Sequence, residues 1–444
     1  MAREGDRDLG VAETLVDTVV VFISPGSFDA THTHVLTCLS DAARHLGPLG
    51  QLMLCLGDLD EESGQPMGMT AARHRLLKAL LQRCGLMIAC EPRETQQHPQ
   101  NPTNPPGYGN TAGAALIRCR ATPVPPRWRL TNVEPADFRA FSNLFSSVFG
   151  HAISPSLWSW KYSEGRGFGV AAWRDNRMVA HYGGNLRSVM AFGQRIRAVQ
   201  VCDAMVEPHE RGVMTKTGVM FQITAAFLEL FQGLGGLPLA FGFPNRRAMR
   251  LGERLGHYAE VGALRELRWS ILGKRPRLGS RIRMLNSEAK GDQQVVDNLW
   301  VDMASDLSDA VVGLRDWSSI KHRYVDHPER RYRLVLVSSR WAGTPLGLLV
   351  LHQEEHRLAL TDLICRVKEI PLLLMQARRL AGLWGCTSLY CWISRQNVDR
   401  FSTQDMEVLD ISVRIPTNSW VPQPYTPAQL RDRWWLTLGD TDFL

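Results

Sequence analysis

The stretch that decides the fold is residues 199–231, VQVCDAMVEPHERGVMTKTGVMFQITAAFLELF. It opens on a β-branched, alternating run, Arg197–Met205, which reads as a strand. A turn follows, EPHERGVMTKTG, with Gly212 and Gly218 supplying conformational freedom. Residues Thr217–Gln232 then have helical spacing. A strand turning into a helix leaves free N–H groups and the positive helix end aimed at one spot, a ready seat for a diphosphate. Thr215 and Thr217 can donate or cap there, and Arg211 and Lys216 can bring positive charge.

Working outward, Asp137–Phe149 reads as an amphipathic helix, and Val170–Arg174 and Arg177–Tyr182 as a strand pair turning at Asp175-Asn176. Pro238–Phe243 reads as a strand and Arg246–Leu255 as a helix stopped by Gly256. These elements make one unit, residues 128–270, followed by a basic linker, 271–294. Residues 295–444 repeat its outline loosely: strands Arg333–Ser338, Leu346–His352 and Leu358–Leu363, helix Leu372–Leu383, strand Ser388–Ile393 and an irregular end. Before them, residues 1–91 alternate strand and helix (Thr18–Ile23, Thr33–Leu46, Gln51–Leu56, Thr70–Cys84), the pattern of a small parallel α/β domain. Residues 92–127 are rich in Pro, Asn and Gln and read as an exposed linker, with Ala114–Cys119 a short strand inside it.

With these segments in hand, the chain resembles the GNAT-type acyl-CoA acyltransferases. Val206, Pro208, Arg211 and Gly212 match the family's V-x-P-x-x-R-G strand end, and residues 241–262, FGFPNRRAMRLGERLGHYAEVG, are similar to its next strand and helix. Trp158–Tyr162 (WSWKY) and the 295–444 repeat resemble multi-domain members of the Eis type, which join a working unit to a degenerate one. The resemblance implies α/β and α+β architecture with tandem mixed sheets and flanking helices. It also implies acetyl-CoA or another acyl-CoA as co-substrate, held by Met205, Val206, Arg211, Gly212, Val213, Met214, Thr215, Lys216, Thr217, Gly218 and Asn245. Two departures stand out. Met214 and Lys216 occupy the family's glycine positions, and Gly252 occupies the place of a tyrosine acid, with Tyr258 lying past the helix end.

Acyl transfer needs a base, an oxyanion donor and alignment. Asp203, Glu207 and Tyr182 are the catalytic candidates, with His181 and His209 behind them. The expected acceptor is an amine or hydroxyl on a small molecule or saccharide. Two other readings stand beside this one: a non-catalytic scaffold that binds acyl-CoA or a partner, and a nucleotide-binding role for the N-terminal unit. In that unit Pro25-Gly26-Ser27-Phe28-Asp29 and His32 resemble a degenerate nucleotidyltransferase signature, with a PIG-L-like deacetylase as the alternative relative. The tail RWWLTLGDTDFL, residues 433–444, is apolar, and the reading preferred for it is that it seals a domain interface rather than entering a cleft.

Composition sets the outer bounds. Of 444 residues 44% are apolar and 21% charged, a globular balance spread over two or three cores. The longest apolar runs fall short of the roughly 18 residues needed to span a bilayer, and a secretory leader pattern is missing, so a cytoplasmic location is expected. Nine scattered cysteines without CxxC spacing argue for free thiols over zinc or disulfides. The net charge of +7 is concentrated in Arg246–Arg283, without the interleaved aromatics of a nucleic-acid interface.

Overall fold

The structure, a computed structural model, describes residues 16–23, 34–56, 71–90, 115–211, 215–273 and 279–441. The strands are β1 (Val16–Ile23), β2 (Leu46–Leu56), β3 (Leu86–Cys90), β4 (Ala115–Ala121), β5 (Arg129–Asn132), β6 (Gly167–Arg174), β7 (Arg177–Ala191), β8 (Gln194–Val206) and β9 (Ala240–Phe241). They continue as β10 (Tyr258–Ser270), β11 (Ser280–Met284), β12 (Val311–Gly313), β13 (Arg333–Ser339), β14 (Pro345–Glu354), β15 (Arg357–Cys365), β16 (Ser388–Ser394), β17 (Glu407–Asn418) and β18 (Trp434–Trp435). The helices are α1 (Val35–His45), α2 (Ala71–Arg83), α3 (Phe138–Phe149), α4 (Pro155–Tyr162), α5 (Val219–Phe227), α6 (Arg246–Leu255), α7 (Lys290–Asp306), α8 (Trp317–Ile320), α9 (Ile370–Leu383) and α10 (Pro427–Leu430).

In the first half β5, β6, β7 and β8 lie side by side, each antiparallel to the last. The chain then crosses through α5, and β9 returns parallel to β8. That contact is brief: Val199 pairs with Ala240 and Gln200 with Phe241. Beyond it β8 continues to Val206 while β9 ends at Phe241. The second half runs in the same order. β11 pairs with β13, β14 and β15 follow antiparallel, and β16 returns parallel to β15 after α9. β10 lies between β16 and β17, antiparallel to both, so the last strand of the first half is built into the sheet of the second. β12 and β18 reciprocate by extending the first sheet at Ala191. The expected linker 271–294 therefore carries β11 and the start of α7, and the expected irregular end carries β17.

The N-terminal sheet has the order β1-β2-β4-β3. Only β1 and β2 are parallel; β4 is antiparallel to both β2 and β3. A wholly parallel domain was expected, and this corrects it. The crossover β2–α2–β3 does keep its two strands pointing the same way, but β4, from the segment read as a linker, slots between them.

This unit covers α5, whose sequence is apolar all round, the mark of a helix buried on every side. One face of α5 packs on Phe168 and Tyr182 of the sheet. Leu77, Leu80 and Leu81 of α2 share a single core with Phe227, Leu230 and Phe231. Polar ties fix the seam. Arg83 forks onto Glu229 at 2.8 and 2.9 Å and reaches Gln222 at 2.6 Å. Leu36 N–H donates to Asn132, and Ser40 to the Leu130 carbonyl. Cys38, Cys84, Cys119, Cys202, Cys365, Cys386 and Cys391 are free thiols, all but Cys38 buried. Among the described residues no helix is long and apolar enough to cross a membrane.

Candidate functional site

The site grows from an irregularity in β8. Between the pairs His181–Met205 and Gly183–Cys202 the register slips, and Asp203 takes the left-handed φ of 48°. A bulge re-aims a side chain, and here it turns Asp203 onto α4. Lys161 Nζ lies 2.7 Å from Asp203 Oδ1, and the Tyr162 hydroxyl donates to Oδ2 at 2.7 Å. Both members of the ion pair are buried, at 8% and 7% side-chain exposure. Burial pushes the Asp203 carboxyl upward, but the charge and hydrogen bond of Lys161 together with the Tyr162 hydroxyl outweigh it, and the carboxyl sits below the ordinary range. Tyr162 is driven far the other way by burial and by the adjacent Asp203.

His181 lies beside this pair on the same face, its Nδ1 2.7 Å from the Asp203 carbonyl oxygen. A methyl group on Gly169 or Gly183 would stand 2.6 Å from the imidazole, so the ring is bedded on two glycines that leave it room. Burial lowers its pKa to about 4. The folded state therefore resists protonation that the unfolded chain accepts near pH 6.5. The resulting stability is intact above that pH and is lost as the pH falls toward 4. For a group this buried the loss is about 3 kcal/mol. Because burial lowers His257, His322 and His327 likewise, urea titrations at pH 7.5 and 4.5 should show a loss about 3 kcal/mol smaller in His181→Asn than in the native chain; equal losses in both would remove His181 as a contributor.

Tyr182, next along β7, faces α5. Its hydroxyl is hydrogen-bonded to that of Tyr258. The Tyr258 ring fills the space over Gly252, where a β-carbon would come within 2.0 Å of it. Burial raises Tyr258 to about 12.

The third part is a cavity between the two halves, on the α4 face. It measures about 110 Å³ and is lined by Trp160, Lys161, Asn185, Arg187 and Gln200 of the first half and His322, Arg323 and Tyr332 of the second. A second hollow of about 450 Å³ shares Arg166, Arg187, Arg323 and Tyr324 with it and reaches Arg315, Asp362 and Asp440. Arg315 is 2% exposed and bridges Asp362 (3.0 Å) and Asp440 (2.7 Å). Tyr324 donates to Asp362 at 2.9 Å. The halves thus repeat one device, a tyrosine from a helix after the sheet's first strand bonded to an aspartate on the strand before the crossover: Tyr162–Asp203 and Tyr324–Asp362. The tail packs into this region: Trp434 and Trp435 are buried, Arg323 donates to the carbonyls of Gly439 and Thr441, and these two residues line the cavity. It also gives Asp440 to the wall of the hollow. Asp442–Leu444 lie outside the described residues.

At the start of α5, Thr215, Lys216 and Thr217 are exposed, and the N-cap is Gly218, which has no side chain to occupy the helix end. Within this turn Gly218 N–H bonds the Thr215 carbonyl and Gln222 Nε2 bonds that of Lys216. Gln222 is itself held by Arg83, so the N-terminal unit braces the turn. Gly212, Val213 and Met214 lie outside the described residues, as do Pro25–Asp29 and His32 of the N-terminal signature.

The structure does not gather the catalytic candidates. Asp203 faces α4 and Tyr182 faces α5, while Glu207 pairs with Arg177 at 3.0 Å. His209 is exposed at the strand end. Met205 and Val206 are core residues, Arg211 donates to the Val206 carbonyl, and Asn245 caps α6 by accepting from Ala248 N–H. Sequence reading passed over Lys161, Tyr162, Arg187, Arg315, Arg323 and Asp362. One signal was available: W-S-x-K-Y at 158–162 and W-S-x-x-K-x-x-Y at 317–324 occupy matching places in the two halves.

The first half is four antiparallel strands with a fifth that returns parallel after a helical crossover. Residues 129–259 match the model of the acetyltransferase (GNAT) domain family, and this segment is a GNAT domain. Two solved structures are similar over 66% of the chain. One is a probable N-acyltransferase from Enterococcus faecalis, at 10% identity, 72% coverage of that chain and TM-score 0.51. The other is a GCN5-related N-acetyltransferase from Anabaena variabilis, at 12% identity, 73% coverage and TM-score 0.50. At such identities the likeness establishes the fold. No curated protein matches the sequence.

Proposed function

We propose that the chain transfers an acyl group from acyl-CoA to an amine, with the one transfer site in its first half. The observation that carries this is that β9 pairs with β8 only at Val199–Ala240 and Gln200–Phe241, beside a helix whose N-cap, Gly218, brings no capping side chain. Thr215, Lys216 and Thr217 would meet the diphosphate, and the β8 edge beyond Gln200 would take the extended arm. Bound acyl-CoA supplies an activated thioester carbonyl. The corresponding place in the second half is closed. Val367 N–H, ahead of α9, is taken by the Asp306 carboxylate, and Glu369 is the N-cap, where a phosphate would meet negative charge.

Of the candidates, Asp203 serves best as a fixed charge: its oxygens are committed to Lys161 and Tyr162 and its pKa is depressed, the reverse of a general base. Tyr258, held by Tyr182 and standing over Gly252, is the group best placed to donate a proton from its hydroxyl to a departing sulfur. Tyr258→Phe should lower kcat about 100-fold while leaving the Kd for acetyl-CoA unchanged; an unaltered kcat removes Tyr258 from the chemistry.

The reading as a whole is tested by titrating acetyl-CoA calorimetrically into the full chain, then following thiol release with a panel of amines. Absence of binding defeats it. Binding with no release for any amine favours the alternative of a non-catalytic acyl-CoA scaffold, toward which the Gly218 N–H used within its own turn inclines. A cytoplasmic location belongs with this proposal, as does a small-molecule or saccharide acceptor.

A further inference from the structure

The cavity between the halves carries more positive charge than its own carboxylates answer. Lys161 is matched by Asp203. Arg315 takes both Asp362 and Asp440 as hydrogen-bonding partners. Arg187, at 19% side-chain exposure, has Asp440 Oδ1 only at 3.7 Å, beyond a hydrogen bond. Arg323 gives Nε and Nη2 to the backbone carbonyls of Gly439 and Thr441, which carry no charge, and pairs with no carboxylate among the described residues. Arg166, at the rim, has Glu164, which is 75% exposed. Three guanidiniums therefore converge on one space with little compensation, and bringing charge out of water without a partner is costly. Arg187 registers this: burial and the neighbouring Arg323 lower its pKa to about 9.

The position of the excess charge is informative. Asn185 and Gln200 line the same cavity, and Gln200 is the last β8 residue paired with β9. Arg187 stands two residues along β7 from Asn185, roughly 7 Å at the rise of a strand. An anion on Arg187 would thus lie a few bonds from a nucleophile at the end of β9. Leu157, Trp160, Leu186 and Tyr332 give the remaining wall an apolar, aromatic character suited to a small organic body.

We propose that the acceptor is a small amine bearing its own oxyanion, of the amino-carboxylate kind, which Arg187 and Arg323 hold while the amine faces the end of β9. This rests on the acyl-transfer reading for the role of the amine, but not for the binding of the anion. A guanidinium fork matches a carboxylate with two parallel hydrogen bonds and takes a phosphate equally well. The site would therefore be filled when the acceptor arrives and would reject its neutral analogue.

The test uses the full chain and matched probes: glycine and β-alanine, their amides, and phosphoethanolamine. Binding is followed by calorimetry without CoA, and turnover by thiol release with acetyl-CoA. The acids should bind about tenfold or more tightly than their amides, the increment expected of a charged hydrogen bond. In Arg187→Gln that ratio should fall toward one, in kcat/KM as well as in Kd. Phosphoethanolamine binding above both acids also supports the oxyanion site and assigns it to a phosphate ester. Equal binding of acids and amides overturns the proposal, as does a ratio unmoved in Arg187→Gln. Should Arg187→Gln fail to fold, Arg166→Gln at the rim should reduce the same ratio, and the acid-to-amide comparison in the native chain decides without any variant. Failure of acetyl-CoA to bind would defeat acyl transfer alone, since the calorimetric arm needs no CoA.

Discussion

Arg315→Met is expected to lower the unfolding free energy by about 3–5 kcal/mol at pH 8, the loss typical when one member of a buried ionic group is removed. The guanidinium is 2% exposed and is the hydrogen-bonding cation of two buried carboxylates, Asp362 and Asp440. Without it they face each other in the wall of the hollow, with Arg187 as the nearest remaining guanidinium to Asp440. The pH dependence gives the claim a second edge. Burial raises Asp362 even with Arg315 present, whereas Asp440 is held low because Arg315, Arg187, Arg323 and the Thr437 N–H outweigh its own burial. In the native chain Asp440 contributes stability that is present at neutral pH and lost as the pH falls through its depressed pKa. In the variant the sign reverses, because protonating either carboxyl relieves repulsion. The gap between the two proteins should therefore narrow on acidification from pH 8 to 5. Urea unfolding across that range checks it, and a variant within 1 kcal/mol of the native chain at pH 8 would show the triad to be energetically idle.

Lys161→Met is the second large effect. It leaves Asp203 buried and charged, with only the Tyr162 hydroxyl as donor, and should cost about 3–5 kcal/mol. Neutralising the partner should return part of this, so Lys161→Met with Asp203→Asn should be more stable than Lys161→Met alone. Because Asp203 is depressed by its ion pair, its contribution is fully present above the ordinary aspartate range and is lost only in acid. The restoration should therefore be measured at pH 7. If the double variant is no more stable than the single one, the pair does not act as an ion pair. Both variants also disturb the cavity floor, so the circular dichroism spectrum is the control for intact folding.

Much of the first half was legible because its signals are local. The alternation of 170–182 and 197–205, the turn at Asp175-Asn176 and the asparagine and glycine bounding α6 are each set by backbone sterics or capping over a few residues. What escaped was whatever depends on partners distant in sequence. The segment 258–270 reads as mixed and charged because Glu266 is satisfied across the sheet by Trp392. Tyr258 was set aside for lying beyond a helix end, yet the chain turns back at Gly256 and lays the ring over Gly252. A three-residue strand such as β12 has too few positions to show a period.

By itself the sequence determined the strand–turn–helix of residues 199–231 and the architectural repeat. These follow from short-range sterics and from the need to remove apolar surface from water, which any fold of the chain must meet. The tertiary structure decided what covers that helix, which face Asp203 and Tyr182 each address, and that the arginines of two halves meet in one cavity. Those choices turn on desolvation, and the cost of a buried charge is fixed only when its neighbours, 42 positions away for Lys161–Asp203 and 125 for Arg315–Asp440, are in place.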